Sequence, residues 1–147
     1  MYTDGASKGN PGVGGIGVVI LYVDTKDIEH KKEIKKAYKE VTNNQMELTA
    51  VIEGLSSLKE GCEIDIYSDS KYVVEAFNEK WIDTWIKNDF RRGKKDEVKN
   101  IDLWTKLISL TEKHDITWHW VKGHDGNIYN ERCDELANIA IKDMTKS

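Results

Sequence analysis

The run Ile16-Gly-Val-Val-Ile-Leu-Tyr-Val23 constrains this chain more than any other feature. It is mostly β-branched and almost wholly apolar, with no alternation of polar residues. That pattern belongs to a strand buried on both faces of a sheet. It is far too short for a bilayer, which needs about 20 apolar residues. The segment leading into it, Asp4 to Gly17, carries Gly5, Gly9, Gly12, Gly14, Gly15 and Gly17. So many glycines suggest a turn that brings an earlier strand back antiparallel. At 147 residues the chain fits one domain, 1–147, able to bury a core without disulfide or metal staples. A single proline and the lack of repeats argue against linkers.

Other elements follow from periodicity. Ile28 to Val41 is ambiguous: its Lys/Glu content favours helix, yet Ile34, Ala37 and Tyr38 make no apolar helical stripe, and an edge strand kept soluble by lysines fits as well. Gln45 to Lys59 reads as a helix, with Asn44 as N-cap and Gly61 just past its end. Glu63 to Ser68 alternates as a strand, and Ser70 to Trp81 reads as helix. Asn100 to His114 is an amphipathic helix, Ile116 to Val121 a strand, and Glu131 to Met144 a final helix after a loop from Gly123. Strands mixed with helices give an α/β or α+β domain. Trp104, Trp118 and Trp120 are expected in its core.

Net charge is −4, so the chain is no generic polycation, and any contact with nucleic acid must come from local patches. Cys62 and Cys133 are too few for a disulfide framework, and no Cys/His cluster suggests zinc. The start Met1-Tyr2-Thr3-Asp4 lacks the features of a signal peptide, and a reducing cytoplasm without membrane attachment is expected.

Four acidic residues stand at ends of elements: Asp4, Glu47, Asp69 and Asp134. Each has a structural explanation of its own. Asp4-Gly5 suits a turn, Glu47 has capping-box spacing from Asn44, Asp69 could cap the helix after it, and Asp134 suits a helix N-terminal turn.

Their contexts say more. Tyr2-Thr-Asp-Gly-Ala-Ser-Lys-Gly-Asn-Pro-Gly12, Thr42-Asn-Asn-Gln-Met-Glu-Leu-Thr-Ala50, Tyr67-Ser-Asp-Ser-Lys-Tyr-Val73, Trp120-Val-Lys-Gly-His-Asp-Gly126 and Asn130-Glu-Arg-Cys-Asp-Glu-Leu-Ala137 occur in this order. Together they resemble the motifs of type 1, bacterial-like ribonucleases H, across essentially the whole chain. The resemblance implies an α/β ribonuclease H-like fold: a five-stranded mixed sheet, three strands antiparallel, flanked by helices on both faces. It makes Ile28 to Val41 a strand and brings the four carboxylates together. The function implied is endonucleolytic hydrolysis of the RNA strand of RNA–DNA hybrids, leaving 5′-phosphate and 3′-hydroxyl ends.

In-line hydrolysis of a phosphodiester needs an activated water and a stabilised leaving 3′ oxygen, and two metal ions about 3.5–4 Å apart supply both. An all-oxygen set suits Mg²⁺, with Mn²⁺ as a substitute, better than zinc. Asp4 and Asp69 are expected to face both ions, Glu47 to bind one and touch the RNA 2′-hydroxyl, and Asp134 to complete the other site. His124, in a glycine-flanked loop, is a solvated histidine on the simplest reading. Its family position implies proton transfer or product release.

Substrate contacts also follow from the resemblance. Asn10, Asn43 and Asn44 would line the RNA minor groove, joined by Ser7, where the 2′-hydroxyl separates RNA from DNA. The DNA strand would lie along Tyr72, Trp81 and Trp85, with Thr42 and Asn100 gripping a phosphate. Lys87, Arg91, Arg92, Lys94, Lys95 and Lys99 fall where bacterial members carry a basic protrusion, and they outnumber Asp89, Asp96 and Glu97. A monomer is expected. The chain departs from the family pattern in three places. Glu40 stands where some members have an arginine in the DNA-phosphate pocket, the segment from Asp69 to Trp81 is one residue longer, and only three residues precede Asp4.

Overall fold

Strand β2 (Gly12–Val23) lies inside the sheet, as its apolar run requires. It pairs antiparallel with β1 (Tyr2–Gly9) on one side and β3 (Glu29–Val41) on the other. The computed structural model describes residues 1–9, 11–87, 100–122 and 127–145. Among them the remaining elements are α1 (Asn43–Ser56), β4 (Glu63–Ser68), α2 (Lys71–Asn78), α3 (Trp81–Lys87), α4 (Ile101–Thr111), β5 (Asp115–Trp120) and α5 (Ile128–Thr145). The sheet order is β3-β2-β1-β4-β5, with β4 parallel to β1 and β5 parallel to β4. This is the five-stranded mixed sheet that the resemblance implied.

Successive β2 residues point to opposite faces, and the two faces have different partners. Ile16, Val18 and Ile20 pack in the larger core with Met46, Leu48, Val51 and Leu55 of α1. Val19 packs with Cys133 and Leu136 of α5. Helices therefore cover both faces. Burial holds from Gly14 to Ile20, whereas Leu21, Tyr22 and Val23 are exposed, because the run outlasts the helices that cross it. No described helix is long and apolar enough to cross a membrane.

Strand β3 overrides its helical propensity because β2 offers a ladder of partners from Gly12↔Val41 to Val23↔Glu29. As an edge strand it keeps its lysines in solvent while Ile34, Ala37 and Tyr38 are half-buried. The helix ends correct the sequence reading. Thr42, not Asn44, caps α1, in a reciprocal box with Gln45 rather than Glu47. Ser70, not Asp69, caps α2. The helix expected from Ser70 to Trp81 ends at Asn78, and Trp81 instead opens α3, since Lys80 takes a left-handed φ of 58° that a helix cannot propagate. Helix α5 starts at Ile128, before the expected Glu131, because the Asn127 side chain accepts the N–H groups of Tyr129 and Asn130.

Candidate active site

Strands β1 and β4 share only two rungs, Tyr2↔Tyr67 and Thr3↔Ser68. Beyond them β1 stays with β2 while the chain leaves β4 for α2. Asp4 and Asp69 follow these last rungs directly and stand at the fork. In open sheets, ligand crevices form at such carboxyl ends of parallel strands.

Two glycines let the helices close on this fork. A Cβ on Gly5 would lie 2.3 Å from the carbonyl carbon of Met46, so the bare Cα is what allows α1 to place Glu47 beside Asp4. A Cβ on Gly17 would lie 2.0 Å from the Cys133 carbonyl oxygen, and that close approach seats α5 with Asp134. Carboxylate oxygens of Asp4, Glu47 and Asp69 all lie within 4.8 Å of one another. The Asp134 side chain lies beside that of Asp4, which donates a hydrogen bond to it only when protonated. Asp4 and Glu47 are buried, Asp69 and Asp134 half-buried.

The hydrogen bonding holds these groups in place. The Gly5 N–H is donated to Glu47 Oε1 at 2.6 Å and to Asp4 Oδ1 at 3.0 Å. The Ser70 hydroxyl bonds Glu47 and also accepts the Val73 N–H at 3.3 Å. Ser70 thus does the capping that sequence offered to Asp69.

Electrostatically the cluster is short of positive charge. Burial, then the charges of Glu47, Asp69 and Asp134, push Asp4 up to about 9. Burial, then Asp69, push Glu47 up to about 8 against the hydrogen bonds from Gly5, Ser70 and Asp4. A divalent cation would relieve both, and the donor set is all oxygen, as a hard ion requires.

Beside the carboxylates, Asn43, Asn44, Lys71 and Tyr72 line the same cleft of ≈ 350 Å³. Asn43 Oδ1 accepts the Ser7 N–H at 3.1 Å, and the Ser7 hydroxyl donates to the Gly9 carbonyl at 2.6 Å. The Tyr72 hydroxyl accepts from Trp104 Nε1 at 2.9 Å and from Asn100 Nδ2 at 3.3 Å. Gln45 bridges Thr42 to Asn100: its Oε1 accepts the Thr42 N–H at 2.9 Å and its Nε2 donates to Asn100 Oδ1 at 3.4 Å. Asn100 holds a left-handed φ of 61° at the start of α4 without capping it, its side chain being committed to Tyr72 and Gln45.

On α3, Trp85 meets the buried Trp104 edge-on at 5.0 Å, while Trp81 and Lys87 are exposed. Glu40, exposed at a φ of 53°, lines with Gln45 and Asn100 a groove of ≈ 720 Å³ between β3, α1 and α4. Asn10, His124, Arg91, Arg92, Lys94, Lys95 and Lys99 lie outside the described residues.

Trp104 and Trp118 are buried as expected, but Trp120 is 45% exposed and belongs to the site's edge, not the core. It ends β5, and its indole N–H donates to the Asp69 carbonyl at 3.1 Å. Sequence reasoning also missed Gln45, Ser70 and Lys71. The Thr42-to-Gln45 spacing of a capping box was the one available signal for Gln45.

The chain matches the family model described as RNase H over residues 1–142. It is 53% identical over 141 residues to a ribonuclease H of Lachnoclostridium phytofermentans, covering 95% of this chain and 89% of that protein. Its fold is similar to LC9-RNase H1, described as a type 1 RNase H with the type 2 active-site motif, at a TM-score of 0.86 and 27% identity, covering 97% of this chain and 71% of that one. It is also similar to LC11-RNase H1 solved in complex with an RNA/DNA hybrid, at a TM-score of 0.70 and 26% identity, covering 99% and 97%. With Asp4, Glu47 and Asp69 gathered at the fork of β1 and β4 and Asp134 beside Asp4, these likenesses make the chain a member of the ribonuclease H family of metal-dependent nucleases, type 1.

Proposed function

We propose that residues 1–147 act as one catalytic unit that hydrolyses the RNA strand of RNA–DNA hybrids endonucleolytically, leaving 5′-phosphate and 3′-hydroxyl ends. The observation that carries this reading is the convergence of Asp4, Glu47 and Asp69, from three different elements, within 4.8 Å, with Asp134 beside Asp4. Mg²⁺, two ions during catalysis with Mn²⁺ as a substitute, would activate the attacking water and neutralise the departing oxygen.

Asp4 and Asp69, side by side at the fork, would hold both ions, Glu47 one of them and Asp134 the other. Asp4 and Glu47 would have to be ionised to hold the metal, since a carboxylate ligates only without its proton. The shared Gly5 N–H keeps both carboxylates oriented, so little reorganisation is left for the reaction itself. Asn43 and Asn44 line the cleft where a 2′-hydroxyl would be read, and the likeness to a protein solved with an RNA/DNA hybrid supports that substrate. Ser7 supports Asn43. Thr42 and Asn100, joined through Gln45, suit a DNA phosphate, and Tyr72, Trp81 and Trp85 suit the sugar and base surface of that strand. For Asn10, His124, Lys87 and the basic residues from Arg91 to Lys99, the family motif alone supports substrate contact and, for His124, proton transfer. A cytoplasmic monomer completes the reading; the free thiols Cys62 and Cys133 suit a reducing compartment and bear on the location alone.

The test is cleavage of labelled hybrid, double-stranded RNA and double-stranded DNA in Mg²⁺ or EDTA. The expected result is cutting of the RNA strand of the hybrid alone, and only with metal. Cutting indifferent to EDTA, or equal cutting of all three duplexes, refutes the proposal.

A further inference from the structure

Trp120 has two contacts that a merely exposed tryptophan does not need. Its indole N–H donates to the backbone carbonyl of Asp69 at 3.1 Å. Its ring face lies 4.9 Å from the Lys71 ammonium, within cation–π range. The backbone around it is anchored as well, since Trp120 is the last rung opposite Ser68 and the Val121 N–H donates to the Ser68 carbonyl at 2.9 Å. One side chain therefore grips the residues on either side of Ser70, where the chain leaves the ladder and a carboxylate must be held in place.

Lys71 is the one cation among the described residues lining the cleft that also contains Asp4, Glu47 and Asp69. A lysine stem is flexible, and beside buried carboxylates an ammonium would tend to collapse onto them. The ring of Trp120 offers it a competing seat at the mouth. An anionic backbone approaching an acidic cleft needs such a charge at its entrance.

We propose that Trp120 is a positioning residue with two separable effects: its N–H holds Asp69 for the metal, and its ring face presents Lys71 to a backbone phosphate of the bound strand. This rests on the reading of the site as a metal-dependent nuclease of hybrids. Trp120→Phe keeps a ring for Lys71 and deletes the N–H, whereas Lys71→Met keeps the stem and deletes the charge.

The experiment measures kcat and KM on a hybrid at several salt concentrations, Mg²⁺ affinity by calorimetry without substrate, and the thermal midpoint. For Trp120→Phe, loss of one hydrogen bond should weaken Mg²⁺ binding about threefold to tenfold and lower kcat, with KM unchanged. For Lys71→Met, KM should rise about threefold to tenfold and its salt slope fall by about one, with Mg²⁺ affinity and kcat unchanged. Trp120→Leu should show both defects. Unaltered Mg²⁺ affinity in Trp120→Phe, or an unaltered KM and salt slope in Lys71→Met, overturns the assignment. Should Trp120→Phe lower the thermal midpoint, Lys71→Met still decides the phosphate half, because Lys71 is exposed. Failure of the underlying reading looks different: the unaltered protein itself would not cut hybrid in Mg²⁺.

Discussion

Asp4 and Glu47 share one donor, the backbone N–H of Gly5, which reaches Glu47 at 2.6 Å and Asp4 at 3.0 Å. Two buried carboxylates from different elements are thus oriented by a single amide, and the helix bearing one of them approaches so closely that only glycine fits beneath it.

Gly5→Ala should therefore damage the site more than an added methyl usually does. The new Cβ meets backbone, not a flexible side chain, so α1 must shift and carry Glu47 with it. A displacement of about 1 Å lowers cleavage about a hundredfold, and overpacking costs about 1–3 kcal/mol. Urea denaturation together with hybrid cleavage checks both, and unchanged activity contradicts the account.

The metal-free protein should lose stability as pH rises. Carboxyls in the unfolded chain titrate near about 4. In the folded chain Asp4 is pushed up to about 9 and Glu47 to about 8. The folded state keeps protons that the unfolded state has lost, so this stabilisation is complete below about pH 4 and disappears as pH passes through about 8 to 9. Thermal midpoints in EDTA should fall between pH 5 and 9. Mg²⁺ binds the folded form and should flatten the decline. A metal-free midpoint that holds or rises over this range is incompatible with the electrostatics described.

Asp69→Asn should separate binding from chemistry. The amide preserves shape but gives up the charge that a divalent ion requires at the fork. Hybrid affinity measured in EDTA should stay within about twofold while cleavage in Mg²⁺ is lost, since phosphate contacts dominate binding. Substantial residual cleavage would remove Asp69 from the metal site.

Tyr72→Phe should be costly although Tyr72 is only half-buried. Its hydroxyl is the acceptor for the indole N–H of Trp104, a residue with no exposed surface. Leaving that donor unpaired costs about 1–3 kcal/mol, measurable by urea denaturation. Asn100 loses a partner too, so KM for the hybrid should rise.

Glu40→Arg should tighten hybrid binding. Glu40 is an exposed anion on the groove that reaches Asn100, next to the proposed phosphate grip. Exchanging its charge should lower Kd about threefold to tenfold at low salt, with the gain vanishing at high salt. Equal affinity at low salt would place Glu40 away from the bound strand.

Much of this molecule was legible in the sequence. Glu63 to Ser68 shows its alternation openly and is a strand with those same bounds, and the apolar run around Val18 had to be an interior strand because nothing else buries two faces of so short a segment. The motif contexts singled out Asp4, Glu47, Asp69 and Asp134 from among 26 acidic residues. Tertiary structure decided the rest, for reasons that are not local. Glu29–Val41 is a strand because β2 supplies a ladder, which its own propensity does not show. Thr42, Asn43 and Asn44 are all competent caps by chemistry, and the choice of Thr42 leaves Asn43 to hold Ser7. Trp120 looked like core because tryptophan is large and apolar, yet Asp69 and Lys71 converge on it from a different element. The raised titrations of Asp4 and Glu47 exist only because two strands part after Thr3 and Ser68 while two helices close over glycine, and no single segment carries that arrangement.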